Sequence, residues 1–224
     1  MRSFSILFDA IVFGTILLAL YAVFMYVPGE RQMGAVQRIF YFHVPAAMTA
    51  FLAYAFVFIA SIQYLRTKEV RWDMIARISA ELGVLFSIIV LITGPLWAKP
   101  IWGVYWRWEP RLTSMLITFT MYVAYLMLRS YSTSSQEGTS RIAAVMGIIA
   151  FINVPFVYFS VQLWAPEQQL HPRSVELEPQ MVHARYICTA AVMIFFLYLL
   201  KRRLEQEKFV LRLERLRTLI GNPS

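Results

Sequence analysis

The chain has little charge and almost no cysteine for its length. Asp, Glu, Lys and Arg make up 15% of its 224 residues, whereas soluble domains carry roughly 25%. The single cysteine excludes an internal disulfide and a cysteine-based zinc knuckle. The low charge, combined with 59% apolar and aromatic residues, also excludes a disordered chain and most soluble folds.

What the sequence does have is long apolar runs. A membrane-spanning helix needs about 20 mostly apolar residues, and six stretches have roughly that length. They run approximately over residues 6–27, 43–65, 78–97, 112–128, 142–163 and 181–200. The sequence therefore predicts an all-α integral membrane protein, in which residues 1–200 form a bundle of six transmembrane helices.

The net charge of +8 would suggest a nucleic-acid partner in a soluble protein. Here its distribution offers another explanation. With the N-terminus placed in the cytoplasm, 14 of the 21 Lys and Arg residues fall on the inner side and seven on the outer side. Such an excess marks the cytoplasmic face of membrane proteins. We therefore expect both termini in the cytoplasm and no nucleic-acid partner.

Residues 201–224 are predicted to form a basic amphipathic cytoplasmic tail. Apolar residues recur there at helical spacing, at Phe209, Leu213, Leu216 and Ile220, among seven Lys and Arg residues. The simpler interpretation is a helix lying on the anionic lipid of the inner leaflet. A docking helix for a cytoplasmic subunit is the alternative.

Histidines and tryptophans collect on the predicted outer side. Four of the six tryptophans fall within residues 97–108, in or beside the second outer loop at about 98–111. His43 opens the second span, His171 lies in the third outer loop, and His183 lies in the first turns of the sixth span. All three histidines and most of the tryptophans are therefore expected at one membrane face.

The tryptophan-rich loop has two interpretations. An interfacial aromatic belt is common in membrane proteins, but a belt spreads over both faces, and Trp72 is the sole tryptophan on the predicted inner side. The alternative is a flat aromatic platform for a large planar ligand, with Arg107 and Arg111 available to pair with its acidic groups. If the loop is helical, Trp102 and Trp106 stack one turn apart.

His43 and His171 also have two interpretations. Taken singly, each is an ordinary histidine, the first hydrogen-bonded at a helix start and the second in a loop. Taken together, with the aromatic loop between them in the sequence, they suggest two axial ligands to a heme iron. Imidazole nitrogen is a common axial ligand, and a porphyrin needs apolar faces and cations for its propionates. A zinc site is not expected, because no His-x-x-x-His spacing is present.

Around these residues the sequence resembles a known family. The motif Trp102-Gly-x-x-Trp-x-Trp-Glu-Pro-Arg111 resembles the tryptophan-rich "WWD" signature of heme-handling proteins in cytochrome c maturation, with Glu109 where that signature usually has Asp. Further segments, in order along the chain, are similar to the heme exporter protein C (CcmC) family: Gln37 to Ala47, Ala80 to Gly83, Thr93-Gly94, Asn153 to Pro155 and Leu170 to Pro172. The resemblance covers most of the chain.

The resemblance implies a multi-pass protein of the bacterial inner membrane that binds b-type heme at its periplasmic face. It implies that His43 and His171 are the axial ligands of the heme iron. The other heme-binding residues that it implies are Trp102, Trp106, Trp108 and Arg111. The implied partners are a periplasmic heme chaperone, which receives the heme, and ABC-type transporter subunits of the maturation complex. It implies no enzymatic activity of the chain's own.

Three other functions stay open at this point. A b-type cytochrome anchor of a respiratory complex would hold heme between histidines inside neighbouring helices, yet spans one, three, four and five contain no histidine. A heme-free transporter or channel would need a path of charged residues through the spans, which is not obvious here. The third is the heme-handling subunit of the single-complex, CcsA-type maturation system, which normally has a longer chain.

Polar residues inside the predicted spans have structural interpretations. Glu81 is expected to pair with Arg77, one helical turn earlier. Asn153 is expected to satisfy a carbonyl freed by Pro155 or to bond to a neighbouring helix. Cys188 is expected to be a small buried packing residue rather than a redox thiol.

Overall fold

The computed structural model describes residues 2–30, 33–132, 135–163 and 177–220. Its long helices are α1 (Arg2–Tyr21), α2 (Phe40–Thr67), α3 (Val70–Trp102), α4 (Pro110–Tyr131), α5 (Gln136–Leu163) and α6 (Pro179–Ile220). A π-helical segment, Ala22–Tyr26, continues α1, and a short 3-10 segment, Ala35–Ile39, leads into α2. Among the described residues, six helical stretches are long and apolar enough to cross a membrane, judged by length and composition. The predicted six-helix transmembrane fold is confirmed.

Several helices run past the apolar stretches that predicted them. α3 has 33 residues, or about 50 Å at 1.5 Å per residue, against about 30 Å of hydrocarbon. Local backbone chemistry ends these helices. Lys68 closes α2 in the left-handed conformation at φ 58°, and its N–H bonds to the Tyr64 carbonyl. Gly103 closes α3 in the same way, at φ 73°, and bonds to the Lys99 carbonyl.

The centre of the bundle is the contact between α2 and α3, where small residues let the backbones approach. Ala50 and Ala53 of α2 are fully buried. Gly83 of α3 lies against the ring of Tyr54, which stacks in parallel on Tyr122 of α4 with 3.7 Å between ring centroids. Close approach of helices at small residues is typical of packing in lipid, where van der Waals contact replaces the hydrophobic drive.

The polar side chains inside the spans have the partners or the burial that the sequence predicted. Glu81 accepts a hydrogen bond from Arg77 at 3.1 Å. Asn153 of α5 donates from Nδ2 to the Ser114 carbonyl of α4 at 2.8 Å, and lies 2.7 Å from the Thr118 hydroxyl. Cys188 of α6 is buried. The pairing of Glu81, the interhelical bond of Asn153 and the burial of the cysteine are therefore confirmed.

The tail continues α6 without a break, since one helix of 42 residues crosses residue 200. Its first turns are tied to α3: Arg203 donates to Glu81 at 2.8 Å, and Glu207 pairs with Arg77 at 2.5 Å. Farther along, the side chains of Phe209, Leu213 and Leu216 are exposed. The division into residues 1–200 and 201–224, and the cytoplasmic placement of both termini, stay predictions.

Candidate functional site

A cavity of about 570 Å³ opens at one end of the bundle, where α2, α4 and α6 begin and α3 and α5 end. Its volume lies within the range of about 300–1,000 Å³ that ligand pockets occupy. Most of its wall is apolar, with Phe40, Phe51, Leu91 and Met115 among the lining residues. The charged and amide side chains in the lining are those of Glu30, Gln37, Arg111 and Glu178. The antiparallel helices thus bring distant parts of the sequence to one end of the bundle.

His43 lies in the first turn of α2 and forms part of the cavity wall. Its Nδ1 atom is 2.9 Å from the Thr93 hydroxyl of α3. The next residue of α3, Gly94, allows the imidazole ring to approach the backbone, because a Cβ atom there would lie 3.3 Å from His43 Cε1. One edge of the ring is therefore held against α3.

The tryptophan-rich segment is not helical as a whole. α3 ends at Trp102, Gly103 turns the chain, and the next helix begins only at Pro110. The condition for helical stacking of Trp102 on Trp106 is therefore not met. Instead, the rings pair edge to face as Trp97–Trp102 and Trp106–Trp108, with centroids 5.3 Å and 5.6 Å apart.

The predicted tryptophans do not all meet the cavity. Trp102 and Trp106 line it, and so does Trp97, which the sequence did not single out as a binding residue. Trp108 is 75% exposed and is absent from the lining, although its ring touches that of Trp106. The signal for Trp97 was present in the sequence, since it belongs to the same run of four tryptophans.

Two of the tryptophans that line the cavity have buried indole N–H groups. Trp97 Nε1 and Trp106 Nε1 have no hydrogen-bond partner within the described part of the chain. Buried donors are normally paired, so a ligand with acceptor oxygens would satisfy them. A heme offers an apolar macrocycle to the wall and two propionates to such donors. The residues present therefore fit a heme.

Arg111 supplies the cation that the sequence predicted near the tryptophans. It lies in the first turn of α4, lines the cavity, and donates from Nη2 to the Tyr158 carbonyl of α5 at 3.1 Å. Glu109, immediately before α4, is buried. Arg107 is exposed and does not belong to the cavity wall. Of the two candidate arginines, the structure thus brings Arg111 to the cavity.

Of the other two histidines, only His183 lies among the described residues. His171 lies outside the described residues, so its role as an axial ligand stays a prediction. His183 is exposed on α6, and its Nδ1 atom lies 3.2 Å from the Tyr26 hydroxyl at the end of the π-helical segment. It is not among the residues that line the cavity.

The sequence reasoning missed most of the lining residues, four of which lie at the mouths of the first and third outer connections. These four are Glu30, Met33, Glu178 and Met181. The two glutamates flank predicted spans on the outer side, but nothing local in the sequence separates them from ordinary loop residues. Their place in the wall follows from the packing of α6 and the α1–α2 connection around the cavity.

Comparison with known proteins decides the family. The sequence model of the family described as "Heme exporter protein C" (CcmC) matches residues 2–218. The chain belongs to the heme exporter protein C family. This agrees with the resemblance seen from Gln37 to His171 and extends it over nearly the whole chain.

Three relatives give the scale of the similarity. A ccmC-like mitochondrial protein named for cytochrome c biosynthesis, from Marchantia polymorpha, is 35% identical over 74% of this chain and 69% of its own length. Heme exporter protein C of Bradyrhizobium diazoefficiens is 37% identical over 61% of this chain and 52% of its own length. Heme exporter protein C of Escherichia coli K12 is 32% identical over 69% of this chain and 62% of its own length.

The matches therefore span about half to two thirds of these curated relatives. Membership in the family supports a membrane role in heme handling for cytochrome c maturation. The six membrane-length helices agree with a multi-pass protein.

Proposed function

We propose that this protein binds b-type heme in the cavity at the outer, periplasmic end of its bundle and presents it for cytochrome c maturation. One observation carries the proposal: His43, Trp102 and Arg111, which come from three different helices, line one cavity. Heme is the cargo here, and the chain performs no chemical conversion of it.

The lining residues contribute different interactions to heme binding, according to their chemistry. His43 supplies an imidazole nitrogen for the iron. Trp102 and Trp106 offer aromatic surface to the macrocycle. Arg111 and the indole N–H groups of Trp97 and Trp106 supply hydrogen-bond donors for the propionates, and the guanidinium also supplies charge. When bound, the heme contributes an iron that accepts one axial ligand on each face.

Transfer requires that the heme leave without the cavity unfolding. In the proposal, His171 is the second axial ligand and gives way to a residue of a periplasmic heme chaperone. Trp108, exposed beside Trp106, is available to contact that chaperone. The family also supports ABC-type transporter subunits as partners in the bacterial inner membrane.

The test is heme binding by the purified protein. We expect the parent, supplied with heme in mild detergent, to show the reduced absorption spectrum of a b-type heme. His43→Ala and His171→Ala should each change or abolish that spectrum. His183→Ala is the matched control, because His183 is a third outer-end histidine that does not line the cavity. It should leave the spectrum unchanged.

Three results would count against the proposal. A parent protein that binds no heme would remove its basis. Heme that keeps a stable, reversible potential and never passes to an added periplasmic chaperone would instead favour a b-type cytochrome anchor. A spectrum that neither substitution alters would show that His43 and His171 are not the ligands.

A further inference from the structure

A short hydrogen-bonded chain connects His43 to the backbone of α3. The Thr93 hydroxyl lies 2.6 Å from the Ile89 carbonyl, one helical turn earlier, and 2.9 Å from His43 Nδ1. The histidine belongs to α2, and the other two residues belong to α3. The hydroxyl therefore joins an imidazole of one helix to a carbonyl of the next.

The proton positions in this chain follow from the number of donors. A threonine hydroxyl has one proton to donate, and a carbonyl oxygen only accepts. At 2.6 Å the hydroxyl must donate to Ile89, because two acceptor oxygens would repel each other at that distance. The hydroxyl can then only accept from His43, so the imidazole carries its proton on Nδ1. In the neutral ring, Nε2 consequently holds the lone pair.

We infer that Thr93 is a positioning residue, which fixes His43 in the tautomer and ring orientation that let Nε2 ligate heme iron. This inference rests on the proposed function. Metal-binding histidines commonly donate their second N–H to an acceptor, which orients the ring and raises its basicity. Donation of the Thr93 proton to Ile89 polarises the hydroxyl and makes it a better acceptor.

Gly94, the next residue of α3, leaves room for the same ring. His43 Cε1, which lies between the two ring nitrogens, would be 3.3 Å from a Cβ atom on that residue. The missing side chain at Gly94 thus lets the ring lie close to the α3 backbone while Thr93 bonds to its Nδ1 atom.

A purely structural role for Thr93 is the competing explanation, since its hydroxyl also connects α2 to α3. The chain offers a matched control for that role. The Tyr54 and Ser87 hydroxyls form a buried hydrogen bond of 2.7 Å across the same pair of helices, without a histidine. Ser87→Ala removes an α2–α3 bond and leaves His43 untouched.

The experiment compares the parent, Thr93→Val, Thr93→Ser and Ser87→Ala in mild detergent. Valine keeps the shape of threonine without the hydroxyl, whereas serine keeps the hydroxyl. We expect Thr93→Val to weaken heme binding by about 10- to 100-fold and to raise the midpoint potential, because a less basic imidazole stabilises ferric iron less. Thr93→Ser should restore both properties, and Ser87→Ala should change neither.

A measurement without heme tests the tautomer directly. In protein labelled with ¹⁵N-histidine, the His43 resonances are assigned by their loss in His43→Ala. We expect a protonated Nδ1 in the parent and the loss of this preference in Thr93→Val. An Nε2-protonated ring in the parent would overturn the inference.

The outcomes separate this inference from the proposed function. If His43→Ala loses heme while Thr93→Val keeps the affinity and potential of the parent, the inference fails and the proposed function stands. Equal effects of Thr93→Val and Ser87→Ala would also overturn it, since helix packing would then explain both. A parent that binds no heme would refute the proposed function instead, whatever the tautomer.

Discussion

Asp73 of α3 and Arg129 of α4 form a two-point ion pair inside the helix bundle. Arg129 Nη1 lies 2.8 Å from Asp73 Oδ1 and Nη2 lies 2.5 Å from Oδ2. Each side chain is only 11% exposed. The Tyr125 hydroxyl lies 3.3 Å from Nη1 and accepts a further hydrogen bond. The pair joins α3 to α4 at the end of the bundle opposite the cavity.

The first prediction concerns this pair. Asp73→Asn leaves the guanidinium buried without its counter-charge, and breaking such a pair costs about 3–5 kcal/mol. We expect a loss of folding stability near the lower end of that range, measured as the midpoint of unfolding in detergent. The control is Glu69→Gln at the pair with Arg71, whose side chains are 46% and 68% exposed. There the expected cost is below about 1 kcal/mol, and equal losses for the two variants would contradict the prediction.

The second prediction concerns Gly83. An added Cβ would lie 2.5 Å from Tyr54 Cε1, and Tyr54 cannot retreat because it stacks on Tyr122. We expect Gly83→Ala to destabilise the fold by about 1–3 kcal/mol through overpacking. Gly14→Ala is the control, because an added Cβ at Gly14 of α1 meets no atom within 4 Å. If Gly83→Ala unfolds at the same temperature as the control, the packing argument is wrong.

The third prediction concerns the start of the tail. Glu81 accepts from Arg77 and Arg203, so Glu81→Gln removes the charge of one of the two ion pairs that join α6 to α3. We expect the contact between the tail and α3 to lose about 1 kcal/mol of stability. The fraction of molecules in which the tail is detached from α3 then rises roughly five-fold. Trypsin cleavage after Lys208 should accelerate by a similar factor.

Glu205→Gln is the matched control for the tail. Glu205 lies on the same part of α6, is half exposed, and pairs with Lys201 and Arg202 of its own helix. Its substitution should leave the cleavage rate nearly unchanged, since no contact to α3 is lost. Equal acceleration in both variants would show that the charge of α6 itself, rather than its tie to Glu81, controls the opening.

The fourth prediction separates two neighbouring tryptophans and rests on the proposed function. Trp106 lines the cavity with its N–H buried, whereas Trp108 is exposed. We expect Trp106→Ala to weaken heme binding at least ten-fold, because about 1.4 kcal/mol of lost contact gives that factor. Trp108→Ala should change the affinity by less than about three-fold. Titration of each detergent-solubilised variant with heme, followed by absorption, measures both. A larger effect of Trp108→Ala would mean that the exposed ring contacts the bound heme.

Much of the fold could be predicted because the bilayer imposes it. Six long apolar runs suffice for six helices, since a chain in hydrocarbon must satisfy its backbone hydrogen bonds internally. The interhelical role of Asn153 followed for a similar reason, because an amide in lipid needs a partner. The sequence left open whether the tryptophan-rich loop is helical, because sequence spacing does not show where a helix stops. The left-handed Gly103 ends α3 one residue after Trp102.

The candidate site was predicted unevenly. His43, Trp102, Trp106 and Arg111 line the cavity as a group. The heme-binding roles of these four residues, like those of His171 and Trp108, stay predictions. Trp97 was visible in the sequence as one of a run of four tryptophans, and Thr93 only as part of a family resemblance. Their contacts with the cavity and with His43 depend on the rotation of α3 relative to α2, which side-chain packing sets and local sequence does not encode.

By itself, the sequence determined the membrane character and the number of helices, and it placed His43, His183 and the tryptophans of residues 97–108 at one end. These properties depend on the length and order of apolar runs, which any reader of the chain can count. Only the tertiary structure decided that Thr93 contacts the imidazole of His43, that Trp108 lies outside the cavity wall, and that Asp73 pairs with Arg129. Contacts between residues that are 50 or more positions apart follow from how helices rotate and pack, so no local sequence pattern predicts them.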